Sequence, residues 1–176
     1  VSGNTAGAGP DRSGEGGGIS ANQGSFLNCT IVENRLVGSL TSRGAGVVSQ
    51  ASSTSPIFVK NTIIARNLDA FGDEQDVAGA FLSQGNNLIG ETDGTASGFG
   101  AAGDLVGTVD VPIDPQLGDL AFNGGPTRTH ALLAGSPAID HGSNTGAPAF
   151  DQRGVARPRD GDGNRIAVTD IGAIER

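Results

Sequence analysis

The chain has 176 residues, 36% of them hydrophobic and 17% charged, with 30 glycines, seven phenylalanines and no methionine, tryptophan or tyrosine. A formal net charge of −8, with Lys60 the one lysine among eleven basic residues, leaves no basic footprint for nucleic acid. The single cysteine, Cys29, excludes an internal disulfide and a multi-cysteine metal site, and no apolar run reaches the ~18–20 residues of a membrane-crossing helix.

In chain order, one phrase recurs. "VSGN" opens the chain, "NCTIVEN" spans 28–34 and "NTIIARN" spans 61–67. Val1, Ile31 and Ile64 take one place in it, Asn4, Asn34 and Asn67 a second, and Asn28 and Asn61 a third, at spacings of 30 and 33 residues. Glycine-rich openings, "GGGIS" at 16–20 and "GAGVVS" at 44–49, precede the two full phrases, and "NNLIG" at 86–90 is a shortened copy. The apolar runs are short, β-branched and bounded by Gly, Ser and Asn, which is the strand signature. No stretch carries a sustained helical stripe with caps.

Short strands at a period near 30 residues predict an all-β coil of about three turns, in which each repeat is one circuit of the chain. Equivalent side chains in such a coil stack at roughly 4.8 Å. Ile31 over Ile64 then builds a core column. Asn4, Asn34 and Asn67, and separately Asn28 and Asn61, build amide ladders worth about 1 kcal/mol net per bond. The other reading of these asparagines is that they are left-handed turn residues.

Beyond Gly90 the repeat fades. "ETDGTASGFGAAGD" reads as a loop, and the turn at Asn123 to Gly125 and the Pro-bounded short runs predict hairpins and edge strands. Residues 1–103 are therefore expected to form the coils with their loops, and residues 104–176 a β cap of the same domain.

The phrases "NNLIG", "GDLVGT" (103–108), "DPQLGDLAFNGGPTRTHALLAGSPAIDHGS" (114–143), "DQRGVARPRDGDGN" (151–164) and "DIGAIE" (170–175) carry a family resemblance. In this order they resemble the C-terminal region of secreted bacterial proteins of the choice-of-anchor Q type, which follows repeats like those of polymorphic outer-membrane proteins. The resemblance implies a right-handed parallel β-helix, export, and an extracellular or cell-surface place. It implies no activity. Members carry many coils ahead of this region, and this chain shows about three.

Several motifs invite chemistry. "RDGDGNRIAVTD" sets Asp160, Asp162 and Asn164 at alternating positions, with Asp170 further on, an oxygen-rich Gly turn that suits calcium; its other reading is a set of Asx turns. "FGDEQD" (71–76) reads as a solvated loop between coils. Polysaccharide enzymes built on β-helices use acid clusters with an Arg, Lys or His on one face. Lys60 and Arg66 lie on the repeat, but no acid cluster adjoins them in the sequence. His130 and His141 read as structural, Cys29 as a small packed residue, and "GAGP" (7–10) lacks the Lys-Ser/Thr of a phosphate loop.

Val1 enters at the place of Ile31, so the strands expected ahead of it in the coil are missing. An uncapped coil end exposes backbone and core and invites another layer. The expectation is a non-enzymatic extracellular or cell-surface structural module that associates with itself head to tail through this end, or adheres. The alternative is a carbohydrate-active enzyme or a surface that binds polysaccharide.

Overall fold

The computed structural model describes residues 1–7, 16–37, 44–51 and 55–176, and no helix occurs among them. Most of "GAGP" thus lies outside the described residues. The strands are β1 (Thr5–Gly7), β2 (Ile19–Ala21), β3 (Gly24–Leu27), β4 (Thr30–Val32), β5 (Arg35–Val37), β6 (Val47–Ser49) and β7 (Ile57–Lys60). They continue as β8 (Ile63–Ala65), β9 (Val77–Ser83), β10 (Leu88–Thr92), β11 (Ala96–Ser97), β12 (Leu105–Thr108), β13 (Leu117–Ala121) and β14 (Thr129–Leu132).

All strand pairs up to β12 are parallel. One sheet runs β12-β10-β8-β4, a second β2-β6-β9-β7-β3, and β1 pairs with β5. Parallel neighbours need a long crossover, so the chain travels around between one layer and the next. The register follows the repeat: Ile31 lies beside Ile64, Ile64 beside Ile89, and Ile89 beside Val106, each circuit shorter than the last. Ser2 bridges Val32 in parallel, which sets Val1 beside Ile31.

Period-two alternation splits the residues of the four-stranded sheet between two faces. Ile31, Ile64 and Ile89 pack inward with Val47, Ile57, Val59, Val77 and Phe81. Val32, Ile63, Ala65 and Leu88 face the other way, against Leu117, Leu132, Ala138, Ile139, Ile171 and Ile174. A parallel sheet covered on both faces reads as an unbroken apolar run, and this is why "TIV" and "TIIA" do not alternate with polar residues.

Past β12 the pairing changes character. β13 and β14 form an antiparallel hairpin, and the remainder is turns and isolated bridges laid over the outer face of that sheet. Gly172 N–H donates to Asn61 O at 2.8 Å and Ala173 N–H to Thr30 Oγ1 at 3.0 Å. Gly172 has φ +107, and a Cβ there would stand 2.9 Å from both Ile63 Cδ1 and Thr30 Oγ1, so glycine alone fits.

Candidate functional site

The asparagine column is a ladder with one repeated geometry. Asn4 gives both its backbone N–H (3.2 Å) and its side-chain amide (2.9 Å) to Asn34 Oδ1. Asn34 gives the same two groups to Asn67 Oδ1 at 3.1 and 2.8 Å, and Asn67 gives them to Asp76 Oδ1 at 2.9 and 2.8 Å. An amide accepts and donates, so it propagates the chain of bonds; a carboxylate only accepts, so it ends one. Asp76 takes a further N–H from Glu91 on Oδ2 at 2.8 Å. "FGDEQD" is thus corrected in part: Asp73 is exposed, but Asp76 is fully buried, and burial pushes its carboxyl up to about 7 against those N–H donors.

A second column repeats the device. Cys29 N–H donates to Thr62 Oγ1, Thr62 N–H to Asn87 Oδ1, and Asn87 gives both its N–H groups to Asp104 Oδ1 at 2.9 and 3.0 Å. The glycine-rich openings belong to the first column. A Cβ on Gly18 would stand 2.8 Å from Asn34 Nδ2, and one on Gly46 2.6 Å from Asn67 Nδ2.

Asn28 and Asn61 combine both sequence readings. They and Asn86 are left-handed, at φ 49, 48 and 57. Asn61 Nδ2 donates to Asn28 Oδ1 at 3.3 Å, and also to Ser143 O at 2.9 Å, while Asn86 Nδ2 reaches His141 O at 2.8 Å. These turns therefore clip the C-terminal segment to the stack, as Lys60 does through Thr145 O at 2.7 Å.

The C-terminal phrases form a charged knot. Arg157 Nη1 meets Glu175 Oε1 at 2.5 Å, with both side chains almost wholly buried. Asp151 accepts N–H bonds from Arg153, Val155 and Glu175 and pairs with the Arg153 guanidinium; burial opposes its charge, but these donors hold it below the usual carboxylate range. Of the four calcium candidates, Asp160 and Asp162 converge, and their third partner is Asp140, all three within 4.8 Å of one another. Asn164 Oδ1 caps Ile166 N–H instead. Asp170 lies elsewhere in the loop, accepting from Asp140 N–H and Arg176 N–H at 2.7 Å each, and burial raises its pKa.

One arrangement was invisible in the sequence. Glu33, Arg66, Leu68, Glu74, Pro112, Ile113 and Asp114 line a cleft of about 540 Å³. Arg66 Nη2 lies 2.8 Å from Asp114 Oδ1 and its Nη1 3.8 Å from Glu33 Oε1. Arg66 therefore does have acids around it. They come from three separate segments, which no local spacing announces. Burial, and to a lesser degree Asp114, raise the pKa of Glu74 against the pull of Arg66.

The first layer ends in a second cavity, of about 470 Å³, whose walls include Ile19, Phe26, Leu27, Cys29, Phe150 and Arg157. β2 and β3 are the terminal strands of their sheet, and Phe150 is 62% exposed. Burial raises the Cys29 thiol pKa, so the thiol is a weak nucleophile. His130 and His141 each contact a carbonyl through Nδ1, that of Gly118 and that of Ile139. No helix among the described residues is long and apolar enough to cross a membrane. No protein-family model matches the chain, and no curated protein or solved structure matches it either.

Proposed function

We propose that the chain is a right-handed parallel β-helix module of a secreted or cell-surface protein of the choice-of-anchor Q type, with a structural and not an enzymatic task. The stacked parallel registers and the buried amide ladder support the coil. The task we propose is end-to-end association through the first layer. One observation carries this reading: among the described residues β2 and β3 have no strand on one side, and they border a cavity of about 470 Å³ that opens onto the inner core. The opposite end suits it as a partner. β12 and β11 are terminal strands there among the described residues, and Ala96, Phe99 and Val106 pack against the same inner core while staying partly exposed themselves. Such a contact does not close on itself, so it grows a filament.

Light scattering and electron microscopy of the purified chain test this. Concentration-dependent oligomers that Phe150→Ser and Leu27→Lys weaken are the expected result. A monomer at all concentrations, with no fibres, defeats the reading.

The polysaccharide alternative has the acids around Arg66 in its favour. It lacks an aromatic platform among the described residues, since none of those lining that cleft carries a ring. Calcium, as the proposed ion, is best placed at Asp140, Asp160 and Asp162.

A further inference from the structure

We propose that the cleft around Arg66 and Glu74 is a receptor for an organic cation, an alkyl ammonium or guanidinium group. It lies away from the open end, so this inference stands apart from end-to-end association.

Charge counting comes first. Arg66 is the single cation among the described residues of the cleft wall, and it is already engaged by Asp114, Glu33 and the Leu117 carbonyl, the last at 3.2 Å. Glu74 makes no hydrogen bond or ion pair with a described residue. A second carboxylate, Glu91, lies behind the lining residues and close enough to repel it. Glu91 donates its N–H to Asp76, two residues from Glu74, and Gly90 O accepts the N–H of the wall residue Ile113 at 2.9 Å. Glu91 is 9% exposed, its carboxylate has no partner among the described residues, and its oxygens are absent from the fully enclosed unsatisfied atoms. They therefore keep some contact with solvent. Two carboxylates without a hydrogen-bonded partner in a partly desolvated place repel each other, and Arg66, shared with Glu33 and Asp114, offsets Glu74 only in part. A bound cation supplies the rest.

Shape narrows the ligand. Among the described residues the oxygens here do not form a convergent group of three as those of Asp140, Asp160 and Asp162 do, so the cleft offers a bare metal ion fewer ligands than that loop does. The walls of Leu68, Pro112 and Ile113 suit a methylene stem carrying a charged head. A free diamine and an exposed Lys or Arg side chain of another polypeptide present the same group.

Isothermal titration of the folded chain with agmatine, at low ionic strength and neutral pH, tests the site. Saturable one-site binding is expected. Glu74→Gln is expected to weaken it about tenfold or more, and Glu91→Gln in the same direction. Arg66→Gln is expected to strengthen binding, because it releases Glu33 and Asp114; a purely structural role would not produce that sign. An alanine-flanked arginine peptide binding tighter than agmatine identifies the source as polypeptide, and the reverse identifies it as a free amine. The proposal is overturned if agmatine does not saturate, or if Glu74→Gln binds unchanged with an unchanged melting temperature. It is equally overturned if Asp119→Asn, at an exposed carboxylate on β13, weakens binding as much, or if calcium or a neutral oligosaccharide displaces agmatine at comparable concentration.

Discussion

The two ends of the sequence are held together by different bonds. The stack up to β12 is a backbone structure: parallel ladders fix its register, and side-chain amides repeat the same two-donor geometry from layer to layer. The segment after β12 has one hairpin and few ladders, and is held by carboxylates and guanidinia that bind backbone groups. In the first region each bond has an equivalent one layer away, so loss of one leaves its neighbours in place. In the second, single residues such as Asp151 and Glu175 serve several segments at once. A fault there is expected to propagate further.

Arg157→Met is the sharpest way to break that segment. It strands Glu175, whose side chain is fully buried and whose oxygens also accept N–H bonds from Asp170 and Arg159. Breaking one side of a buried pair costs about 3–5 kcal/mol. Urea unfolding should show this loss, and Arg157→Met/Glu175→Gln should recover part of it. If the single variant loses less than about 1 kcal/mol, the knot does not hold the segment.

Asp76→Asn tests the end of the ladder in the stack. The amide can still accept from Asn67, but its NH₂ then faces the N–H of Glu91, donor against donor. The expected loss is about 1–3 kcal/mol at pH near 5. The sign of the pH dependence follows from burial. Asp76 titrates near 7 when folded and near 3.8 when unfolded, so its contribution is complete below the unfolded value and is lost as the pH rises through about 7. The wild-type chain should therefore become less stable from about pH 4 to pH 7, and Asp76→Asn should flatten that slope. An equal slope in the variant would assign it to Glu175, which burial also raises to about 7 despite Arg157.

Gly46→Ala probes the same ladder from the other side. The new Cβ would meet Asp76 O at 2.5 Å and Asn67 Nδ2 at 2.6 Å, and overpacking of this kind costs about 1–3 kcal/mol. Gly124→Ala meets nothing within 4 Å but has φ +98, so it isolates backbone strain from crowding.

The repeat made the ladder readable. Asn4, Asn34 and Asn67 sit at near-constant spacing because parallel layers demand register, and Ile31, Ile64 and Ile89 stack for the same reason. The ladder's end was not readable, because Asp76 follows Asn67 after only a short loop and interrupts the spacing. "FGDEQD" reads as a solvated loop, because a single buried carboxylate leaves no periodic trace. The cleft around Arg66 was hidden more deeply. Glu33 and Arg66 are one layer apart, but Asp114 and Glu74 reach them through loops whose paths depend on tertiary packing. Asp140 was missed at the acidic loop for the same reason: it arrives from across the fold.

That loop gives the smallest expected effect and the finest test of the contrast. Its carboxylates are already employed. Asp140 accepts from Gly161 and Asp162 N–H, Asp160 from Gly163 and Arg165 N–H, and Asp162 from the two N–H groups of Asn164. Asp140 Oδ2 already takes two N–H groups, but Asp140 Oδ1 and the oxygens of Asp160 and Asp162 each keep a lone pair, and the three groups stand close enough to share one ion. Calcium that binds only the folded chain stabilises it by about 1.4 kcal/mol at ten times its dissociation constant. A melting temperature that rises with calcium, falls back with chelator, and loses this response in Asp160→Asn is the expected result. If chelator changes nothing, the aspartates serve the turns alone, and the segment after β12 is held entirely by its own arginines and backbone donors.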